Sequence, residues 1–175
     1  MPKSNKKRAT HSEPVRLASI GAGMIGHVHA HIAASMEECS YVALCDEDAS
    51  KEQMARKLGA TYYRDFREMI EKETLDGVII SLPNELHEPV GSACAGKGLH
   101  IFMEKPIAPT VQAAEKLIES ARSNKVALLI GHHRRFNPMM VATRDMVRGG
   151  ELGEIVGISV LWSMHKPKEY FEAGS

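Results

Sequence analysis

The stretch VRLASIGAGMIG, residues 15–26, decides the fold of this chain. Its apolar first half ends in glycine and predicts a β-strand over residues 15–21, and the residues from Met24 to about Met36 predict a helix. A strand that passes through a glycine-rich turn straight into a helix is typical of nucleotide-binding βαβ units, although the motif alone is weak and needs support from other residues. The turn is therefore the first candidate site.

The turn carries glycines in GxGxxG spacing. They are Gly21, Gly23 and Gly26, with Met24 and Ile25 between the last two. Glycine at these positions permits a tight turn, close approach of the backbone to a pyrophosphate, and close packing of the helix on the sheet. The helix N-terminus also presents free N–H groups and a positive dipole end to the phosphates. We predict that these five residues bind a dinucleotide.

An acidic residue stands at the distance this motif requires. Asp46 lies twenty positions after Gly26, in the second predicted strand, YVALCDED. A carboxylate there can accept hydrogen bonds from both ribose hydroxyls of an adenosine and would repel a 2′-phosphate. The alternative role for Asp46 is an N-cap or a solvated loop carboxylate. No arginine follows it to hold a 2′-phosphate, although Lys51 is near enough to keep NADP open, so the sequence favours NAD.

Strand and helix patterns alternate along most of the chain. Further strands are predicted at residues 41–48, 61–63, 77–83, 100–106 and 126–133, and helices at about 50–58, 66–70 and 85–95. Two more helices are predicted from their caps: one follows an N-cap at Thr110, and the other begins at Pro138 after an N-cap at Asn137. The run GVIISLP is apolar throughout, as expected of a parallel strand covered on both faces. The repeated β-then-α order predicts a doubly wound parallel sheet, an α/β fold of the Rossmann type.

The two ends of the chain depart from this alternation. Residues 1–13 are polar with four basic residues and predict a disordered tail, the alternative being a targeting or nucleic-acid arm. Residues 14–137 predict the dinucleotide-binding domain, and 138–175 a linking helix and the start of a second α/β domain. In that last part EIVGISVLWSMHKP predicts a seventh strand that nothing after it can cover. We expect the chain to be a fragment of a roughly two-domain protein.

Composition excludes some function classes. Lys plus Arg and Asp plus Glu number 22 each, so the bulk charge indicates neither nucleic-acid binding nor attachment to an anionic membrane. The three cysteines have no CxxC spacing, which favours buried thiols in a reducing compartment. No apolar run approaches ~20 residues and no signal peptide opens the chain. These features predict a soluble, cytoplasmic protein.

Three histidines, His27, His29 and His31, suggest a metal site that the sequence does not complete. On a helix only His27 and His31 share a face, and no carboxylate or cysteine with ligand spacing joins them. We therefore predict no metal, with His27 near the diphosphate and the other two packed or facing solvent.

Polar residues follow three of the predicted strands, at the sheet edge where ligands bind in open α/β folds. They are Ser81-Leu82-Pro83-Asn84, Glu104-Lys105-Pro106 and His132-His133-Arg134-Arg135. Each group has an ordinary alternative: Lys105 as a solvated strand-end charge, the arginines as a surface pair.

Together these motifs resemble the family of glucose-fructose oxidoreductase, inositol dehydrogenase and MocA. The matching pieces, spread over residues 15 to about 165, are GAGMIG, the CDED strand end, SLPNELH, MEKP, GHHRRFNP and GELGEIVGI. The resemblance implies an NAD(P)-dependent oxidoreductase that acts on a sugar, polyol or related hydroxyl or carbonyl compound. It also implies a small-molecule partner and, for the full-length protein, a homo-oligomer.

The resemblance also implies roles for single residues. Lys105 would lie beside the nicotinamide ribose and the substrate hydroxyl as the catalytic residue, with Glu104 holding the cofactor amide or ribose and a cis bond before Pro106. Asn84 and His87, beside Ser81, Leu82 and Pro83, would approach the middle of the cofactor. His133 and Arg134 would border the substrate.

The sequence departs from this family at one point that matters for catalysis. The family's second domain supplies an Asp-x-x-x-His whose histidine is the general acid/base, and that motif does not occur in these 175 residues. We therefore expect this chain alone to bind NAD with little or no turnover. A non-catalytic NAD-binding module or sensor is the alternative function, and a domain for another adenosine ligand such as S-adenosylmethionine would leave Lys105 without a role.

Overall fold

Strands and helices alternate along the first three quarters of the chain in the computed structural model, which describes residues 13–168. The strands are β1 (Val15–Ile20), β2 (Cys39–Cys45), β3 (Thr61–Tyr63), β4 (Gly77–Ile80), β5 (His100–Met103) and β6 (Leu128–Ile130). The α-helices are α1 (Met24–Ser35), α2 (Glu52–Lys57), α3 (Phe66–Lys72), α4 (His87–Gly96), α5 (Val111–Ser123) and α6 (Pro138–Arg148). Short 3-10 turns precede α2, α4 and α6.

All six strands are parallel and form one sheet in the order β3-β2-β1-β4-β5-β6. The chain winds outward from β1 in one direction through β2 and β3, and in the other through β4, β5 and β6. The predicted doubly wound Rossmann fold is confirmed. The direction reverses between β1 and β4, and ligands bind at such a switch point beyond the carboxyl ends of the strands.

The core lies on both faces of the sheet, as the apolar pattern of β4 predicts. Val78 and Ile80 belong to one buried cluster and Ile79 to the other, so alternate side chains of one strand serve opposite layers. The first cluster includes Leu117 of α5, which has no exposed surface.

The predicted helix caps are confirmed. Thr110 Oγ1 accepts the N–H of Ala113 at 3.2 Å, and Asn137 Oδ1 accepts the N–H of Met139 at 2.9 Å, with Pro138 in the first turn. Each cap satisfies a backbone N–H that has no partner within its helix.

Two compact units divide the chain, one ending at Gly131 and the other beginning at His132. The second contains the 3-10 turn His133–Phe136, α6 and the residues that follow. The seventh strand predicted within residues 154–167 does not form: residues 155–167 are neither helix nor strand, and Val156 and Leu161 are 95% exposed. A strand requires a neighbour for its N–H and C=O groups, and residues 13–168 offer this segment none.

The predicted tail, apart from Glu13, lies outside the described residues. Within residues 13–168 no helix is long and apolar enough to cross a membrane.

The core position of Leu117 gives a test of the fold. Leu117→Ala removes a fully buried side chain and should lower the free energy of unfolding by about 2–5 kcal/mol, as leucine truncations in cores do. Val111→Ala, on the same helix at a residue that is 69% exposed, is the matched control and should change it by about 0.5 kcal/mol or less. Urea unfolding followed by circular dichroism measures both, and equal midpoints for the two variants would contradict the packing described.

Candidate functional site

The glycine turn after β1 is built on backbone contacts that exclude side chains. Gly21 has a φ of +91°, and a Cβ on it would lie 2.3 Å from the carbonyl oxygen of Ser81. A Cβ on Gly26 would lie 2.1 Å from the carbonyl oxygen of Gly21, so α1 can approach the turn this closely only with glycine there. A Cβ on Gly23 would meet nothing within 4 Å. The turn is therefore tight on its inner side and open above Gly23, where α1 begins.

The start of α1 leaves its first N–H groups available. Gly23 is its N-cap residue and supplies no side-chain hydrogen bond. Met24 and Ile25 in its first turn are exposed, with Met24 at 88%. Free N–H groups and the positive dipole end at this point suit an anionic group.

Asp46 joins the end of β2 to the glycine turn. Its Oδ2 accepts the N–H of Ala22 at 2.6 Å, and its Oδ1 accepts the N–H of Asp48 at 2.9 Å. A carboxylate has about four lone-pair positions, so each oxygen keeps capacity for a further donor such as a ribose hydroxyl. The half-buried side chain is thus fixed in orientation and still able to accept.

The loop after β4 carries the second predicted group. Its backbone continues the sheet, since Ser81 donates its N–H to the carbonyl of Ile20 at 2.9 Å. Ser81 Oγ is buried and has no hydrogen-bond partner in the described part of the chain. Leu82 is half-buried, Pro83 is exposed and Asn84 begins the 3-10 turn that leads into α4. An unpartnered buried hydroxyl at the switch point fits a site that a ligand completes.

The loop after β5 places Lys105 at the same edge of the sheet. The Glu104 N–H donates to the carbonyl of Ile80 at 2.9 Å, and the Glu104 carboxylate is buried. Lys105 is exposed, and the bond between it and Pro106 is cis, as the resemblance predicted. The charged part of the MEKP motif therefore lies in the loop beyond β5, not in the strand.

His87 lies behind these loops, in the first turn of α4. It has no exposed surface, and its ring nitrogens lie 2.8 Å (Nδ1) from the carbonyl oxygen of Pro106 and 3.0 Å (Nε2) from that of Leu82. Since carbonyls only accept, the ring donates to whichever one faces its protonated nitrogen. A neutral ring carries one N–H, so His87 lies between the loop after β4 and the loop after β5 and donates to one of the two carbonyls at a time. Its predicted contact with a cofactor stays a prediction.

A cavity of about 350 Å³ opens beside Asp46. The residues around it come from the ends of β1 and β2, from the loop after β3 and the start of α3, and from the loop after β4 and α4; they are Ile20, Cys45, Asp46, Glu47, Arg64, Asp65, Phe66, Arg67, Leu82, Leu86, Pro89 and Val90. The sequence prediction missed Arg64 and Phe66. The rule that polar residues after parallel strands share one edge would have found Arg64, which directly follows the short strand β3.

The cysteines near this edge are not nucleophiles. Burial, reinforced by the carboxylates of Asp46 and Asp65, raises the pKa of the Cys45 thiol to about 12. Burial likewise raises the pKa of Cys94 to about 12, with Cys45 adding to the effect. Both are therefore neutral thiols near pH 7, and the thiolate is the reactive form of cysteine.

The three histidines of α1 have different surroundings. The rings of His27 and His31 lie 4.2 Å apart on the exposed side of the helix, and His31 Nδ1 is 2.9 Å from the carbonyl oxygen of His27. His29 Nε2 lies 2.9 Å from Oε1 of Glu104, a contact that the sequence prediction missed. Within residues 13–168 no group of three histidine, cysteine or acidic side chains is placed to hold a metal ion.

His133 and Arg134 belong to the second unit. Both are exposed in the 3-10 turn that precedes α6. The guanidinium of Arg134 lies 4.3 Å from the centre of the Trp162 ring, in cation–π geometry. Their predicted place beside a substrate stays a prediction.

Comparison with known proteins assigns a family to this architecture. Residues 15–132 match the model of the GFO_IDH_MocA family, described as an oxidoreductase family with an NAD-binding Rossmann fold. The rhizopine catabolism protein MocA of Rhizobium meliloti is 35% identical over 159 residues, which are 90% of this chain and 50% of that protein. The myo-inositol 2-dehydrogenase of Thermotoga maritima is 31% identical over 143 residues, 80% of this chain and 42% of that enzyme.

Solved structures agree with the sequence comparison. The crystal structure of a myo-inositol 2-dehydrogenase from Lactobacillus plantarum superposes with a TM-score of 0.78 at 27% identity, covering 82% of this chain and 44% of that one. The chain thus spans about half the length of the relatives it matches.

The hydrogen bond that His87 donates can be tested by removing its donor. His87→Leu keeps an apolar side chain in the buried position but leaves the carbonyl that accepts the ring N–H, that of Leu82 or of Pro106, without this donor. It should lower the free energy of unfolding by about 1–3 kcal/mol. His87→Gln, which keeps a donor, should lose less, and His31→Leu on the exposed face of α1 should change little. Chemical denaturation measures all three, and a wild-type midpoint for His87→Leu would show that this hydrogen bond contributes nothing.

Proposed function

This chain belongs to the oxidoreductase family with an NAD-binding Rossmann fold, and from this we propose that it forms the cofactor-binding half of an NAD-dependent dehydrogenase. The substrate class we propose is a sugar, a polyol or a related hydroxyl or carbonyl compound. The observation that carries the proposal is Asp46, whose oriented carboxylate stands between the glycine turn and the cavity at the switch point of the sheet.

The residues present fit a dinucleotide. The open side of the turn at Gly23 and the free N–H groups of α1 suit the pyrophosphate. The remaining acceptor positions of Asp46 suit the adenosine ribose, and the cavity beside it suits the adenine. Leu82 and Phe66 give that cavity apolar walls, as stacking of a base requires.

We propose NAD in preference to NADP. A 2′-phosphate would lie against the carboxylate of Asp46, which would repel it. Arg64 also lines this cavity, and its guanidinium donates to the carbonyl oxygen of Glu47 at 3.1 Å, in the loop after β2, where it would attract a 2′-phosphate. The preference for NAD rests on the carboxylate of Asp46, which the hydrogen bond to the Ala22 N–H fixes beside the glycine turn.

Lys105 is the catalytic residue in this proposal. Bound NAD would supply the carbon that accepts hydride from the substrate. The ammonium group of Lys105 would orient the substrate oxygen and stabilise the negative charge that grows on it as hydride leaves. The hydroxyl proton needs a separate acceptor, and the Asp-x-x-x-His motif expected for this task is absent from these 175 residues. We propose that the full-length enzyme supplies this proton acceptor from a second region, equivalent to the half of the relatives that this chain does not match.

A second candidate function is a non-catalytic NAD-binding module or sensor, in which the same glycine turn and Asp46 would bind the dinucleotide. The exposed lysine of the MEKP motif favours the dehydrogenase. A cytoplasmic location and a homo-oligomeric full-length protein remain part of the proposal.

The role of Asp46 is tested by Asp46→Asn. The amide oxygen can keep the bond to the Ala22 N–H, but the charge that binds ribose hydroxyls and repels a 2′-phosphate is lost. We expect the Kd for NADH to rise about tenfold, since hydrogen bonds to charged groups contribute ~1.5–3 kcal/mol, and the Kd for NADPH to fall relative to it. Fluorescence titration of the 175-residue chain measures both constants. Asp48→Asn is the matched control, and an unchanged ratio of the two constants in Asp46→Asn would remove Asp46 from the ribose site.

The role of Lys105 is tested by Lys105→Ala in a full-length enzyme that contains this chain. Removal of the ammonium group should lower kcat by about 10²-fold or more, as loss of one transition-state donor does, and change the Kd for NADH only a few-fold. Lys97→Ala, a lysine paired with Glu71 on the surface, is the control and should leave kcat unchanged. Undiminished turnover in Lys105→Ala would leave the lysine as a solvated strand-end charge. Binding of NADH without turnover of any sugar or polyol by the wild type would favour the module.

A further inference from the structure

Glu104 is the one acidic side chain among residues 13–168 that is buried, with 7% of its surface exposed. A carboxylate removed from water must be compensated by hydrogen-bond donors, because the desolvation of an unpaired charge is costly. The donors of Glu104 therefore decide where its two oxygens lie.

Each oxygen has one donor. The ring nitrogen Nε2 of His29 lies 2.9 Å from Oε1, and the backbone N–H of Lys105 donates to Oε2 at 3.1 Å. A Cβ on Gly131 would lie 3.0 Å from Oε1, so the chain after β6 passes close to the carboxylate on another side. Rotation of the carboxylate away from the Lys105 N–H would break its contact with His29 as well.

His29 is itself held in place. It projects from α1 between the buried residues Gly26 and Ala33, and its ring meets Phe102 of β5 edge to face, with centroids 5.2 Å apart. Four-fifths of its side chain is buried. Since the carboxylate only accepts, Nε2 must carry the hydrogen of the shared bond.

We propose that His29 is a positioning residue for Lys105. It donates to Glu104, and Glu104 in turn fixes the backbone N–H of Lys105, so the ring on α1 sets the point from which the lysine side chain extends. This assignment of a catalytic purpose rests on the function proposed above. A displacement of a reacting group by ~1 Å can cost about 10²-fold in rate, so fixing its backbone has a direct effect on chemistry.

The geometry also joins two parts of the site through one helix. The start of α1 lies at the glycine turn proposed for the pyrophosphate, and His29, one and a half turns further on, reaches the loop of the catalytic lysine. The proposed pyrophosphate site and the loop of the proposed catalytic lysine are thus both in contact with the same helix.

The first test needs neither cofactor nor substrate. Nitrogen-detected NMR of the wild-type 175-residue chain should show His29 with hydrogen on Nε2. A ring with hydrogen on Nδ1 alone would overturn the proposal, because Nε2 could then donate nothing to Glu104.

The second test follows the Lys105 N–H by native-state hydrogen exchange. His29→Ala does not touch Lys105, yet it should accelerate exchange of this N–H by about tenfold and shift its resonance upfield, as loss of a hydrogen bond to a charged acceptor does. His29→Gln, whose amide nitrogen can replace Nε2, should restore most of the protection. His31→Ala, two residues along the same helix, is the matched control and should leave Lys105 unchanged.

Two outcomes of the exchange experiment would also overturn the inference. One is unchanged exchange at Lys105 in His29→Ala, and the other is no recovery in His29→Gln, which would show that the ring only packs against Phe102. Should His29→Ala fail to fold, the ring tautomer in the wild type and the protection of the Lys105 N–H in His29→Gln test the inference instead.

NADH titration separates this inference from the proposed function. If the Lys105 N–H is protected from exchange only when His29 is present, but the chain does not bind NADH, the hydrogen bonds through Glu104 are supported and the proposed function is rejected. If the chain binds NADH but exchange at Lys105 does not depend on His29, the proposed function is retained and the role of His29 is rejected.

Discussion

The structure depends on the approach of two backbone segments at the first turn. The carbonyl oxygen of Gly21 occupies the space that a side chain on residue 26 would need, 2.1 Å from an ideal Cβ, and the carbonyl of Ser81 does the same to residue 21. These contacts bring β1, α1 and the loop after β4 together at the point where the sheet changes direction. A larger residue at Gly26 would push α1 away from the turn, and one at Gly21 would push the turn away from the loop after β4.

Around this turn the polar side chains serve first as ties between loops. Asp46 accepts from the glycine turn, His87 lies between the carbonyls that follow β4 and β5 and donates to one of them, and Glu104 accepts from α1 and from its own loop. Each of these groups lies far in sequence from at least one partner. A site held by such long-range hydrogen bonds is oriented before a ligand arrives, which lowers the ordering cost of binding.

The sequence alone predicts those structural features that depend on interactions between residues close together in the chain. The glycine spacing, the caps at Thr110 and Asn137 and the apolar β4 each predict a feature that the structure contains, because turn sterics, orphan N–H groups and two-sided burial act within a few residues. The contact between His29 and Glu104 joins residues 75 positions apart, and no local pattern encodes it. The predicted seventh strand shows the converse: the apolar run at residues 155–162 predicts a strand, but a strand forms only where a partner's hydrogen bonds are available.

Lys105 differs from Asp46, His87 and Glu104 because its side chain is exposed while its backbone N–H is hydrogen-bonded. The Lys105 N–H donates to the carboxylate of the preceding Glu104, which also contacts His29 of α1, and the carbonyl of the following Pro106 lies 2.8 Å from Nδ1 of His87 in α4. An exposed cation that served only as a solvated cap would need no such support, since solvent holds surface lysines at little cost. The fixed backbone of Lys105, in the loop beyond β5, is therefore consistent with a charge that acts at one place, as proposed for this lysine.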